Sequence, residues 1–457
     1  MANNSNTFEF EFMQIDTLIV NGILITVNPD FEIIENGWVS IKDGRVLMVQ
    51  PHRPGFTLPC ALETVDAKGG IVMPGLVNTH THLPMTLFRG MADDLPLMTW
   101  LNDHIFPAEA VFIQPDSVYT GTLLACAELL LSGTTTCCDG YFYEHFSAQA
   151  VSLSGLRAVL AQGVIDYPAP GVPDPSKNIS VASDFIHCWQ NLNPLIQPSI
   201  FCHSPYTCSG KTLRKAKEIA DSTGSLFQIH AAETRSEYEL IKDRHSMSPI
   251  AYLDSLNILD SRTLLVHAIW IDDEDIDIVA RSGAAVSHAP ESAMKLGSGI
   301  AKIPDFIQAK IRVGLGTDGC ASNNNHDMFQ EMDIAAKLHK LSTMNPQALK
   351  SRTVLEMATI GGARAIGMDL AIGSLEPGKQ ADIIILDTYS PHLTPLYHPE
   401  SHIVYAAKGS DVRDVMVSGK WLVKSRKLVS LNLDEILDQA RKQGERIQHW
   451  RTHRETT

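Results

Sequence analysis

Near the start of the chain, apolar and polar positions alternate over short runs, "TLIVNGILITV" and "GWVSIKDGRVLMVQ", broken by Asn21-Gly22 and Asp43-Gly44. Side chains alternate across a strand, and Asn-Gly or Asp-Gly between two such runs is a hairpin signal. The same texture returns near the other end in "ADIIILD" (381–387) and "DVMVSGKWLV" (414–423), where Ser418-Gly419 marks a further turn. The two ends look alike and differ from the middle. That predicts one small β-sandwich domain assembled from both termini, residues 1–70 and 373–430.

The middle alternates strand-length apolar runs with segments of helical periodicity such as "DSVYTGTLLACAELLLS" and "KTLRKAKEIADST". Strands are predicted at 71–78 ("IVMPGLVN"), 133–139, 156–164, 196–202, 225–231, 263–268, 284–289 and 311–318. Eight strands, each followed by room for a helix, predict an α/β fold: a (β/α)8 TIM-type barrel over residues 71–372. The tail, residues 431–457, contains "LDEILDQARKQGERIQHW", which predicts an exposed amphipathic helix.

Composition narrows the partners. A formal net charge of −15 over 457 residues argues against nucleic acid or an anionic membrane surface and suits a neutral or cationic small substrate. The eight cysteines form no C-x-x-C pair, which reads as reduced thiols inside a cell. The opening "MANNSNTFEFEF" has no basic stretch followed by an apolar one, so secretion is not expected. The run "LLACAELLL" (123–131), interrupted by Glu128, is too short to span a bilayer. The expectation is a cytoplasmic protein.

The candidate chemistry starts at His80-Thr81-His82, which closes the run "MPGLVNTHTH". With 18 histidines in the chain, chance supplies roughly 0.7 His-x-His pairs, so this pair alone decides little. Barrel strands, however, present reactive side chains at their C-terminal ends, which converge on one mouth. Those ends carry His80 and His82 (first strand), His203 (fourth), His230 (fifth), His267 (sixth), His288 (seventh) and Asp318 (eighth). That convergence marks His80 and His82 as metal ligands. Imidazole and carboxylate donors suit zinc, with Fe2+ or Mn2+ as alternatives. His80, His82, His230 and Asp318 would hold one ion and leave a position for water, whose pKa the metal lowers towards neutrality. Glu233, three residues after His230 in "HAAET", is placed to shuttle a proton, and His267 to hold and polarise the hydroxide. A two-metal site bridged by a modified lysine would want Lys on the fourth strand, and "IQPSIFC" has none.

The segments "PGLVNTHTH", "HAAET", "LLVHA", "SHAPESAMKLGSG" and "GLGTDGCASNN" together resemble the amidohydrolase superfamily, in its mononuclear deaminase and chlorohydrolase branch. The run "PMTLFRGMADDLPLMTWLNDHIFPAEA" (84–110) is similar more narrowly to the 5′-methylthioadenosine/S-adenosylhomocysteine deaminases. The resemblance covers roughly residues 15–430. It implies the four metal ligands named above, with Glu233, His267 and Asp318 catalytic. It also implies that Trp100 lines a nucleoside pocket, that Glu109 bonds the ribose hydroxyls, and that His203 and His288 face the purine or its reacting edge. Without it, Trp100 could be a plain core residue and Glu109 a helix-surface carboxylate. A homo-oligomer is also implied.

Two departures bear on substrate choice. Family members that grip the homocysteine carboxylate carry arginines after the third strand and in the loop beyond it, where this chain offers Gln162 and Lys177. After His288, relatives usually have Asn where Ala293 stands. The expected function is deamination of a 6-aminopurine nucleoside: methylthioadenosine and adenosine, with S-adenosylhomocysteine handled less well. The alternative keeps the site and changes the ring, to a free purine, pterin or triazine that is deaminated or dechlorinated. Glu109 and Trp100 favour the nucleoside, because a free base offers Glu109 no diol. A scaffold without catalysis should have eroded ligands, and none is missing. The H-x-E match "HPE" (398–400) lacks the P-C-x-x-C of cytidine-deaminase zinc sites.

Overall fold

The computed structural model describes residues 14–456. "MANNSNTFEFEF", on which the secretion argument rests, lies outside the described residues. Eight parallel strands, hydrogen-bonded in chain order, form the barrel: Leu76–Thr81, Thr134–Tyr141, Arg157–Val164, Ile196–Cys202, Phe227–Ala231, Thr263–His267, Ala285–His288 and Arg312–Leu315. The last returns to the first through a bridge between Thr81 and Asp318. Asn78 completes this closure with its side-chain amide, donating to Thr317 Oγ1 at 2.8 Å and accepting from the Thr317 amide at 3.1 Å.

The first barrel strand begins later than the predicted 71–78. Ile71–Pro74 instead pairs antiparallel with Ile383–Leu386 in the second sheet. Gly75 then carries the chain across to the barrel. It passes so close to the second barrel strand that a Cβ there would lie 2.1 Å from Thr135 Oγ1. Only glycine fits such an approach.

That second sheet is mixed, has nine strands and draws on both ends of the chain. Asp43-Gly44 and Ser418-Gly419 are its hairpin turns, with φ of 49° and 75° and of 46° and 75°, values that type I′ turns require. Asn21-Gly22 is not a turn. The strand Ile15–Ile25 runs straight through it with a register shift between Ile19 and Gly22. A bulge forms because Asn21 tolerates φ of 55° and bonds Asp66, while a Cβ on Gly22 would meet Val72 at 2.6 Å. Period-two alternation then divides the core. Ile383 and Ile385 pack with Ile19, Val39, Ile41 and Met416, joining strands from both ends of the chain. Ile384 and Leu386 face the barrel side with Val412 and Val415. A buried ion pair fastens the two units together: Arg157 donates to both Asp382 oxygens at 2.8 and 3.0 Å.

The C-terminal helix, Leu433–Thr456, is less exposed than its polarity predicts. Ile436, Ala440 and Ile447 are buried, and Trp450 meets Phe112 edge-on at 5.5 Å. It braces the segment after the first barrel strand, where a π-helical turn, Trp100–Ile105, leads into the helix Phe106–Phe112. Among the described residues, no helix is long and apolar enough to cross a membrane.

Candidate active site

The barrel ends deliver the predicted cluster. Donor atoms of His80, His82, His230 and Asp318 all lie within 4.8 Å of one another. His80 Nε2 and His82 Nε2 each stand 3.3 Å from Asp318 Oδ1, and His230 Nε2 is 3.2 Å from His80 Nε2. Neighbouring carbonyls fix two of the tautomers: His82 Nδ1–H donates to Gly140 O at 2.6 Å and His230 Nδ1–H to His203 O at 2.9 Å. Their Nε2 lone pairs therefore point inward.

Burial pulls His80 below the ordinary imidazole pKa, and burial together with the surrounding imidazoles pulls His230 well below it. Burial alone would raise Asp318, but the hydrogen bond to His80 and the adjacent imidazoles outweigh it and hold the carboxyl well below its usual range. Asp318 Oδ2 is occupied by the hydroxyls of Ser292 (2.7 Å) and Ser322 (2.9 Å), which leaves Oδ1 facing the histidines. Imidazoles and one carboxylate converging their lone pairs in a buried spot suit a cation between them. The donor set fits a divalent metal.

Strained backbone marks the same rim. Ala232, His267 and Asp318 adopt φ of 53°, 74° and 63°, values that cost non-glycine residues energy and persist where the surroundings hold them. Glu233 lies beside the cluster, 4.0 Å from His267 Nε2. Burial and the neighbouring Asp318 and Glu237 charges raise its pKa well above normal, which favours its protonated form. Burial lowers His267 to about 3, making it a neutral imidazole.

Above this floor opens a cavity of about 980 Å3. Trp100, Glu109 and His203 line it, as predicted. Trp100 Nε1–H donates to Ala92 O at 3.1 Å, which fixes the indole, and burial lowers His203 to about 4. Glu109 is only 5% exposed, so it is no helix-surface carboxylate, and burial pushes its pKa up to about 7.

Four residues singled out from the sequence are not brought to the cavity wall. His288 faces His339, Nε2 to Nε2 at 3.0 Å, behind the site. The strand is too short to carry it further: it ends at His288, and Pro290 starts a helix. Gln162 is buried in the helix layer, its side-chain oxygen accepting from the Glu144 amide at 3.2 Å, and Lys177 sits on an exposed turn outside the cavity. Ala293 is buried in the helix Pro290–Leu296, of which Leu296 is the residue on the wall.

Three residues on or beside the site were not singled out from the sequence. Tyr141 ends the second barrel strand and donates its hydroxyl to Glu109 Oε1 at 2.5 Å. The strand-end rule that picked out the histidines would have found it. Glu237 accepts from the amides of Ala232 and Glu233, both at 2.8 Å, and so holds the strained turn that aims Glu233. Its signal was the capping-box spacing from Thr234, whose hydroxyl accepts from the Glu237 amide. The third, Arg244, also lines the cavity, and nothing in local spacing announces it.

Comparison with known proteins agrees with this geometry. The profile of the amidohydrolase family matches residues 71–422. A 5-methylthioadenosine/S-adenosylhomocysteine deaminase of Syntrophobacter fumaroxidans is 44% identical, over 93% of this chain and 97% of its own. A 5′-deoxyadenosine deaminase of Methanosarcina mazei is 43% identical, over 94% and 98%. The crystal structure of an adenosine deaminase from Xanthomonas campestris with bound zinc superposes with a TM-score of 0.93 at 36% identity, covering 95% of this chain and 99% of that one. The chain belongs to the amidohydrolase family.

Proposed function

We propose that this enzyme hydrolyses the 6-amino group of a purine nucleoside, converting an adenosine-type substrate and water into the inosine analogue and ammonia. The observation that carries this reading is the joining of two half-sites in one cavity. A converging set of imidazoles and a carboxylate lies on the floor beside Glu233, whose pKa burial raises, and the ribose-binding candidate Glu109 stands on the wall with Trp100. The deaminase relatives support the same substrate class.

His80, His82, His230 and Asp318 would hold one divalent ion, zinc by preference, with Fe2+ or Mn2+ as alternatives. When bound, it supplies a water acidic enough to attack near neutral pH. A single ion is favoured because Phe201, apolar and ring-to-ring with His230 at 4.8 Å, occupies the fourth-strand side of the cluster. Glu233 delivers its proton to N1 of the purine as C6 is attacked and then takes the proton of the new C6 hydroxyl as the carbonyl forms. The proton that Asp318 takes from the water leaves on the amine as ammonia. Neutral His267 orients the attacking water, and Asp318 accepts a proton from it. Glu109 accepts hydrogen bonds from the ribose diol, Trp100 walls the nucleoside, and His203 faces the purine.

The eight cysteines are all free, which supports a reducing, cytoplasmic setting. We expect a homo-oligomer from the family resemblance. The test of function is ammonia release from adenosine, methylthioadenosine, 5′-deoxyadenosine, S-adenosylhomocysteine, adenine, guanine and triazines, before and after chelation. Chelation should abolish it. Faster turnover of a free base or triazine than of every nucleoside would sink this reading.

A further inference from the structure

Lys295 lies in the last turn of the helix Pro290–Leu296, which follows the seventh barrel strand. Its Nζ meets three oxygens: Asp93 Oδ1 at 2.6 Å, Asn324 Oδ1 at 2.7 Å and Ala321 O at 3.1 Å. A lysine ammonium has three N–H donors, so each one is used. The side chain is 20% exposed and does not line the cavity, although the next residue, Leu296, does. A cation in the last turn of a helix favours the macrodipole, but that role asks for no side-chain partner. Here the three partners come from two different loops.

Asp93 belongs to the stretch between the turn Leu83–Phe88 and the helix Leu97–Thr99, which has no helix or strand of its own. Its neighbour Ala92 supplies the carbonyl that fixes the Trp100 indole, at 3.1 Å. Arg451 from the C-terminal helix ties the same stretch at Met91 O, 2.9 Å away, so the loop stays attached when Lys295 lets go. Ala321 and Asn324 belong to the loop after the eighth strand. They bracket Ser322, whose hydroxyl donates to Asp318 Oδ2 at 2.9 Å. Asn324 adopts φ of 81°, a conformation that persists in a non-glycine residue where its surroundings hold it. Lys295 grips its side chain, and Arg89 donates to its carbonyl.

We propose that Lys295 is a positioning residue that couples the wall of the substrate cavity to its catalytic floor, one ammonium setting both the loop that fixes Trp100 and the loop that holds Asp318. This rests on the reading of the site as a nucleoside deaminase. An exposed ion pair contributes little stability by itself. The consequence here is geometric, because small displacements of groups that hold the substrate or the attacking water are costly in rate. The two arms separate by function. The Asp93 arm acts through Ala92 on Trp100, and so on nucleoside binding. The Ala321 and Asn324 arm acts through Ser322 on Asp318, and so on the chemical step.

The experiment uses the metal-loaded enzyme as wild type, Asp93→Ala, Lys295→Met, Lys295→Arg and the double variant Asp93→Ala/Lys295→Met. It reads KM for methylthioadenosine, kcat per bound metal, and amide hydrogen exchange. Asp93→Ala should raise KM about five-fold with kcat within about two-fold of wild type, and Lys295→Met should add a fall in kcat of about ten-fold. The double variant should show no higher KM than Lys295→Met, since both remove the same tie. Lys295→Arg should recover part of the loss. Exchange should quicken over residues 90–101 in Asp93→Ala, and over both 90–101 and 319–324 in Lys295→Met. Lower stability with unchanged KM and kcat, additive effects on KM, or unaltered exchange in both segments would each overturn the coupling and leave the deaminase reading standing. A wild type that turns over no nucleoside would overturn the deaminase reading, and amide exchange would still decide whether Lys295 sets both loops.

Discussion

Removing one hydroxyl should displace the pH dependence of this enzyme. Tyr141 donates to Glu109 Oε1 at 2.5 Å, and the two residues are 4% and 5% exposed. Burial pushes Glu109 up to about 7, and the Tyr141 hydrogen bond opposes that rise. In Tyr141→Phe the carboxylate loses a donor and gains none, so the neutral form is favoured. A hydrogen bond to a charged group contributes about 1.5–3 kcal/mol, and one pH unit corresponds to about 1.36 kcal/mol. The Glu109 titration should therefore move alkaline by up to about one to two pH units. In the role proposed for Glu109 the ionised form accepts both hydrogen bonds of a ribose diol, so kcat/KM should rise with pH through this titration. On the acid side of both titrations the ionised fraction, and with it kcat/KM for methylthioadenosine, should fall by about 10–100-fold. Activity should recover on the alkaline side. A cation next to His82 draws the titration of both enzymes towards lower pH together, so the displacement between them is the quantity to read. The assay is kcat/KM against pH for methylthioadenosine, with adenine, which has no diol, as the control. Coincident profiles would refute the coupling. An equal loss on adenine would refute the ribose role of Glu109.

Glu233→Gln should lower kcat by about 10²–10⁴-fold while elemental analysis still finds about one divalent ion per chain, because it removes a proton carrier and no ligand. A metal-free variant or a nearly active one would contradict that assignment. Glu237→Gln can accept only one of the Ala232 and Glu233 amides on its remaining carbonyl oxygen. It should lower kcat by about ten-fold with bound metal and nucleoside KM little changed, whereas a purely structural role would show as lost stability at constant kcat. Arg157→Met strands buried Asp382 without its partner and should cost about 3–5 kcal/mol in denaturant unfolding, leaving kcat/KM of the folded protein unaltered.

Much of this was legible in the chain because barrel chemistry follows a positional rule. Strand periodicity locates the C-terminal ends, and those ends carried His80, His82, His230, His267 and Asp318 to one floor. Legibility stopped where two local signals looked alike. Asn21-Gly22 has the composition of a hairpin turn, but its outcome depends on whether a partner strand crowds it, and Val72 does. Pro74-Gly75 lies inside an apolar run that reads as one strand, yet its two halves pair in different sheets. His288 satisfied the strand-end rule and still missed the cavity, because its side chain found His339 from a helix more than forty residues on.

The same limit applies to the wall that faces the 5′ end of a nucleoside. Gln162 and Lys177 could replace a carboxylate-binding pair only if the cavity wall were built from those sequence positions, and neither residue lines it. Walls above a barrel mouth are set by loop length and helix tilt, which no local pattern encodes. Here the proline-bounded loop Pro168–Pro173 and the end of the helix after the fifth strand share that wall, and Arg244 stands on it beside Tyr206. A residue ten positions into a polar helix carries no mark of that in its neighbours. The floor, which performs chemistry common to the family, is held by strand ends and can be read from spacing. The upper wall depends on which distant side chains the fold brings over the mouth. Substrate choice in this enzyme is therefore a property of tertiary structure even though its catalytic residues are a property of sequence pattern.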